Sequence, residues 1–183
     1  RMKKILTVFG TRPEAIKLGP VIHELKKYPE IETRICVTAQ HREMLDQVLN
    51  LFELRPDIDL NLMRPDQSLA AITAEVVSEM EYVLEAEKPD VVVIQGDTTT
   101  VMATALAAFY KKIAIAHVEA GLRSGDIYSP YPEEMNRRVV SMVASYHFAP
   151  TQRAVDNLLK EGVLRDRIFL TGNTVIDALK MIV

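Results

Sequence analysis

The feature that most constrains this chain is the repeated alternation of short apolar runs with stretches of helical periodicity. Val91-Val92-Val93-Ile94 has no polar position, and Ile5-Leu6-Thr7-Val8-Phe9, Arg34-Ile35-Cys36-Val37-Thr38, residues 113–118 and Tyr146-His147-Phe148-Ala149 are nearly as apolar. A strand that is apolar on both faces has to be covered on both, which is the condition of a parallel sheet lying between helices. The intervening segments supply those helices, at residues 14–27, 42–52, 69–87, 98–111, 133–144 and 151–161. The first carries its apolar stripe on Ala15, Ile16, Leu18, Val21, Ile22 and Leu25, and Pro89 closes the third. Weaker strands are expected at 58–62 and 167–171. With right-handed crossovers this pattern predicts a doubly wound α/β domain with a Rossmann-like parallel sheet.

Composition narrows the possibilities. A length of 183 residues is one domain with some excess, and 48% hydrophobic with 26% charged residues excludes a disordered or fibrous chain. The net charge of −3 argues against nucleic acid or an anionic membrane surface as the main partner. The single cysteine, Cys36, forms no internal disulfide and suits a reducing, cytoplasmic compartment. No apolar run approaches the roughly 18 residues that span a bilayer. The opening Arg1-Met2-Lys3-Lys4-Ile5 is too short in its apolar part for a signal peptide, and Arg1 ahead of a methionine reads as foreign to the native chain. At the other end Asn173 caps a helix with apolar positions at Val175, Ile176, Leu179 and Ile182, and no Gly, Pro or polar tail follows. The expected division is therefore a domain over 1–172 and, over 173–183, the start of a helix leading to a second domain.

In such a sheet ligands bind outside the carboxyl ends of the strands, so the residues there are the ones to read. After the first strand, Thr11 and Glu14 have capping-box spacing and Pro13 suits the first helical turn. Capping does not account for Arg12 and Lys17, two cations near a helix N-terminus; they make sense beside a bound anion. Thr38-Ala39-Gln40-His41-Arg42 reads equally well as a polar loop or a ligand contact. In Gln95-Gly96-Asp97-Thr98-Thr99-Thr100, Asp97 is placed either to cap the next helix or to face a ligand. Glu119 follows an apolar strand with no helix to cap and only Arg123 as a local partner; the other reading is a desolvated catalytic carboxylate. Glu133 and Arg137 have the i,i+4 spacing of a surface pair, and Glu133 and Glu134 both suit the first turn of a helix. Together, however, Asp97, Glu119 and Glu133 with Arg12, Lys17 and Arg137 fall at one edge of one sheet. Carboxylates sharing a crevice suit acid/base work, and the cations suit a phosphate-bearing substrate. The histidines (His23, His41, His117, His147) show no metal-ligand spacing.

The runs Gly10-Thr11-Arg12-Pro13-Glu14-Ala15-Ile16-Lys17, Gln95-Gly96-Asp97-Thr98-Thr99-Thr100, His117-Val118-Glu119-Ala120-Gly121-Leu122-Arg123, Pro132-Glu133-Glu134-Met135-Asn136-Arg137 and Gly172-Asn173-Thr174-Val175-Ile176-Asp177 resemble, in order and spacing, the non-hydrolysing UDP-N-acetylglucosamine 2-epimerases. The resemblance covers the whole chain but only the amino-terminal half of such an enzyme. It implies one half of a glycosyltransferase-B-type pair of Rossmann-like domains, with the active site between them. It implies interconversion of UDP-N-acetylglucosamine and UDP-N-acetylmannosamine with no metal or nicotinamide cofactor, through elimination of UDP to a 2-acetamidoglucal and its re-addition. By that pattern Asp97, Glu119 and Glu133 are the catalytic candidates, Arg12 and Lys17 contact substrate, and Arg137 supports the site. The implied setting is the cytoplasmic stage of cell-envelope polysaccharide synthesis, and the implied assembly is a homodimer through helices such as 42–52 and 69–87. Two departures follow. The second domain, with a histidine and most of the grip on the nucleotide, is missing. Gln40 and Glu133 match a neighbouring substrate-activation site, but Glu43 stands where such members carry glutamine and Asp66 where they carry arginine, which weakens that site for a diphosphate. A hydrolysing relative releasing N-acetylmannosamine and UDP, and a non-catalytic isolated domain, are the competing readings.

Overall fold

Seven strands form one sheet in the order β3-β2-β1-β4-β5-β6-β7, and every neighbouring pair is parallel. They are β1 (Lys3–Phe9), β2 (Ile31–Val37), β3 (Ile58–Asp59), β4 (Val91–Gln95), β5 (Ala114–Val118), β6 (Tyr146–Ala149) and β7 (Ile168–Leu170). The structure is a computed structural model and describes residues 1–38, 42–62 and 64–183. The helices are α1 (Arg12–Leu25), α2 (Arg42–Leu51), α3 (Leu69–Glu87), α4 (Thr99–Tyr110), α5 (Glu133–Val143), α6 (Gln152–Lys160) and α7 (Thr174–Ile182). None of them is long and apolar enough to cross a membrane.

The two-sided apolarity of the strands has its counterpart in two cores. Along β1, Leu6 and Val8 enter one core and Phe9 the other; β4 sends Val92 and Ile94 one way and Val93 the other. The first core is closed by α3, α4 and α5 through Met80, Leu84, Ala103 and Val140. The second is closed by α1, α2 and α7 through Leu18, Ile22, Leu45, Leu49 and Ala178. The chain winds from β1 to one edge, then returns past β1 to β4 and winds to the other edge. The loops after β1 and β4 therefore diverge and leave a crevice at the switch point, which is where this fold binds its ligands.

The expected strand at 58–62 pairs over two residues only. Asn61 takes a left-handed φ of 48°, which turns the chain off the ladder, although the N–H groups of Leu60 and Leu62 still reach the carbonyls of Val37 and Thr38. At the other end α7 lies along α1, with Ala178 in the core while Ile176, Leu179 and Ile182 remain exposed.

Gly121, just beyond β5, has a φ of +91°, and a Cβ there would lie 2.4 Å from the carbonyl oxygen of Ala154. Gly121→Ala combines left-handed strain with an overlap against backbone and is expected to lose about 2–4 kcal/mol of stability. Urea unfolding measures this, and a loss below 1 kcal/mol would show that α6 yields at this contact.

Candidate active site

The first turn of α1 forms the predicted capping box. Thr11 is the N-cap, accepting from the Glu14 N–H at 3.4 Å, while the Glu14 carboxyl group returns to the Thr11 hydroxyl. Glu14 is only 2% exposed, and its other oxygen accepts from the Thr98 hydroxyl at 3.4 Å. Burial pushes its pKa up to about 7, against the lowering effect of those hydroxyls and of the nearby backbone. An internal carboxyl group thus occupies the end of α1. The neighbouring cations are arranged differently: Lys17 pairs with Glu119, Nζ to Oε2 at 2.6 Å, whereas Arg12 is exposed and bonds to none of the described residues.

Of the two readings of Asp97, the structure does not show the helix cap. Thr98 caps α4, accepting from the Val101 N–H at 3.2 Å, so the Asp97 side chain is free of that duty. It faces Arg137, whose Nη1 lies 3.4 Å from Oδ2. Burial raises the Asp97 pKa; Arg137 opposes this, and the charges of Glu133 and Glu119 add to it. Two further bonds hold its loop: Asn136 Nδ2 donates to the Asp97 carbonyl at 2.9 Å, and the buried His117 Nε2 to the Gly96 carbonyl at 2.7 Å. Burial pulls the His117 pKa down to about 4, so the ring is neutral at pH 7 and serves as a donor rather than an acid.

The pair suggested between Glu119 and Arg123 does not form. Arg123 turns away to Glu161 and Ser141, and Glu119 reaches Lys17, 102 residues earlier. The backbone at Glu119 has a φ of +67°, which is rare for a non-glycine residue with a long side chain. The suggested Glu133–Arg137 pair is replaced as well. Arg137 Nε donates to Glu134 at 2.6 Å, and Glu133 keeps a buried Oε2 with no hydrogen-bond partner. Gln40 and His41 lie outside the described residues. Asp97, Glu119, Glu133, Lys17 and Arg137 therefore come together around the switch-point crevice, with Arg12 at its edge. Among the described residues no group of three or more His, Cys, Asp or Glu side chains is placed to hold a metal ion.

A family model described as UDP-N-acetylglucosamine 2-epimerase matches residues 23–183. The chain belongs to the UDP-N-acetylglucosamine 2-epimerase family. A relative of that name from Salmonella typhimurium is 60% identical over 176 residues, covering 96% of this chain and 47% of its own length. A crystal structure of UDP-GlcNAc 2-epimerase from Neisseria meningitidis bound to UDP-GlcNAc superimposes with a TM-score of 0.95 at 58% identity, over 97% of this chain and 48% of that one. The chain spans about half the length of the relatives it matches. The fold alone is shared with MurG from Acinetobacter baumannii (TM-score 0.59, 15% identity), over 93% of this chain and 45% of that one.

Reading the epimerase-family motifs from sequence left out the residues that support the site. Glu134 is completely buried and accepts from Arg137, from Arg138 and from the N–H groups of Ser124 and Gly125. The i,i+3 spacing to Arg137 was visible, but nothing local shows that the loop over 121–132 folds onto this carboxylate. A separate groove of about 500 Å³, lined in part by Arg138, Met142, His147, Leu164 and Arg167, shares no residue with the carboxylate cluster.

Proposed function

We propose that this chain is the amino-terminal half of an enzyme that interconverts UDP-N-acetylglucosamine and UDP-N-acetylmannosamine by eliminating UDP and adding it back. The observation that carries the reading is the grouping of Asp97, Glu119 and Glu133 around one crevice, with Lys17 and Arg137 balancing their charge. Inverting C2 requires a proton to leave from one face and return from the other. A carboxylate takes the C2 proton, the C1–O bond breaks, and its electron pair leaves with UDP. The 2-acetamidoglucal that remains receives a proton on the opposite face of C2, and a UDP oxygen re-forms the bond to C1. The chemistry is redox-neutral and is written without metal or nicotinamide.

Several carboxyl groups in unlike surroundings suit this exchange. Burial inclines Asp97 towards holding a proton, while the Glu133 Oε2 has no competing partner. Arg12, unpaired among the described residues, is the cation available to the diphosphate, and Gln40, outside the described residues, belongs in this reading to substrate bound at the neighbouring activation site. The second half of the molecule then completes the grip on the nucleotide, since half a cleft cannot hold both ends of a nucleotide sugar in register. Exposed Tyr82, Phe109 and Tyr110 on α3 and α4 suit a homodimer contact.

The test is a reaction of the full-length protein with UDP-N-acetylglucosamine in D2O. Deuterium at C2 in both nucleotide sugars is expected. No label at C2 sinks the reading, and release of free N-acetylmannosamine with UDP identifies a hydrolysing relative instead.

A further inference from the structure

The loops that form the crevice come from different parts of the chain, yet one buried side chain touches both. The carboxyl group of Glu14 meets the hydroxyl of Thr11, the cap of α1, and that of Thr98, the cap of α4. The residue after Thr11 is Arg12, and the residue before Thr98 is Asp97. No other described side chain hydrogen-bonds to both caps.

We propose that Glu14 is a positioning residue: its buried carboxyl group joins the caps of α1 and α4 and so fixes Arg12 and Asp97 relative to each other across the crevice. It touches no reacting atom in this role. Each threonine hydroxyl donates to the carboxyl group and accepts a backbone N–H in its own helix, so the position of one cap is transmitted to the other. Glutamine has the same shape. Its amide oxygen accepts from one hydroxyl and its amide nitrogen donates to the other, so the tie survives without a titratable group. Alanine removes it. The consequence for turnover rests on the epimerase reading above; the tie itself does not.

The experiment compares Glu14→Gln, Glu14→Ala, Thr98→Ser and Thr98→Val in the full-length protein. Amide hydrogen exchange at Val101, capped by Thr98, reads the tie without reference to activity. It is expected to accelerate about tenfold in Glu14→Ala and to stay near wild type in Glu14→Gln. Turnover in Glu14→Ala is expected to fall roughly 10²-fold with KM changed far less, as for a misplaced reacting group, while Glu14→Gln stays within about threefold. Thr98→Ser should keep turnover and Thr98→Val should lose it, and this pair decides the matter if Glu14→Ala does not fold. Unchanged exchange at Val101 in Glu14→Ala, or equal losses in Glu14→Gln and Glu14→Ala, overturns the proposal. A wild-type protein without epimerase activity removes the proposed function, and the exchange measurement still decides whether the tie exists.

Discussion

Under the proposed reaction, Glu133→Gln in the full-length protein is expected to lower kcat by about 10²–10⁴ while the fold survives, as removal of a general acid or base does. Glu133 begins α5, and its Oε2 is buried without a hydrogen-bond partner, so the substitution breaks no observed structural bond at that atom. Asp97→Asn should behave alike, since Arg137 stays tethered through Glu134 when Asp97 loses its charge. Glu119→Gln should be less clean. It leaves the half-buried Lys17 ammonium without its counter-ion at 2.6 Å, and substrate affinity is expected to change along with turnover. Rates followed by NMR, alongside thermal unfolding, separate these effects. Full activity in all three variants would reduce the carboxylates to structural ion pairs.

Glu134→Ala is expected to cost about 3–5 kcal/mol of folding stability, the penalty for removing the fully buried partner of a largely buried charge pair. The change leaves Arg137, a side chain only 13% exposed, with just the 3.4 Å contact to Asp97 among the described residues, and frees two backbone N–H groups of the loop that covers α5. The pH dependence has a definite sign. Burial opposes ionisation of Glu134, but Arg137 and the N–H groups of Ser124 and Gly125 outweigh it and hold the carboxyl group down at about 2, below the usual 4.5. A carboxyl group whose pKa is lowered by folding contributes stability that is fully present above pH 4.5 and is lost as pH falls towards 2. Urea midpoints from pH 7 to pH 2.5 should therefore fall more steeply for wild type than for Glu134→Ala. Parallel curves would show that Glu134 is not the carboxyl group responsible.

The fold was legible because its signals are local. Apolar runs on β1, β4 and β5 carry no polar face, and the Thr11–Glu14 box announces α1 within four residues. The failures have one local cause and two that lie in tertiary contact. Asp97 and Thr98 are both good caps, and the choice between them falls on Thr98 because Asp97 follows the left-handed turn at Gly96 (φ 84°). Glu133 and Glu134 are neighbours of identical chemistry, and only the returning loop makes Glu134 fully buried and paired while Glu133 keeps an oxygen with no hydrogen-bond partner. The Lys17–Glu119 pair closes over 102 residues, a distance at which no periodicity speaks. Sequence pattern reports which edge of the sheet gathers the charged residues; tertiary contact decides which charge meets which.

The left-handed backbone at Glu119 bears on how this family responds to selection. A glutamate at a φ of +67° carries a conformational penalty of about 1–2 kcal/mol that glycine does not. Against that penalty stands the 2.6 Å pair with Lys17, which glycine cannot make. In a library selected only for thermal resistance, residue 119 therefore reports which term is larger: glycine where the backbone penalty wins, glutamate where the Lys17 pair does.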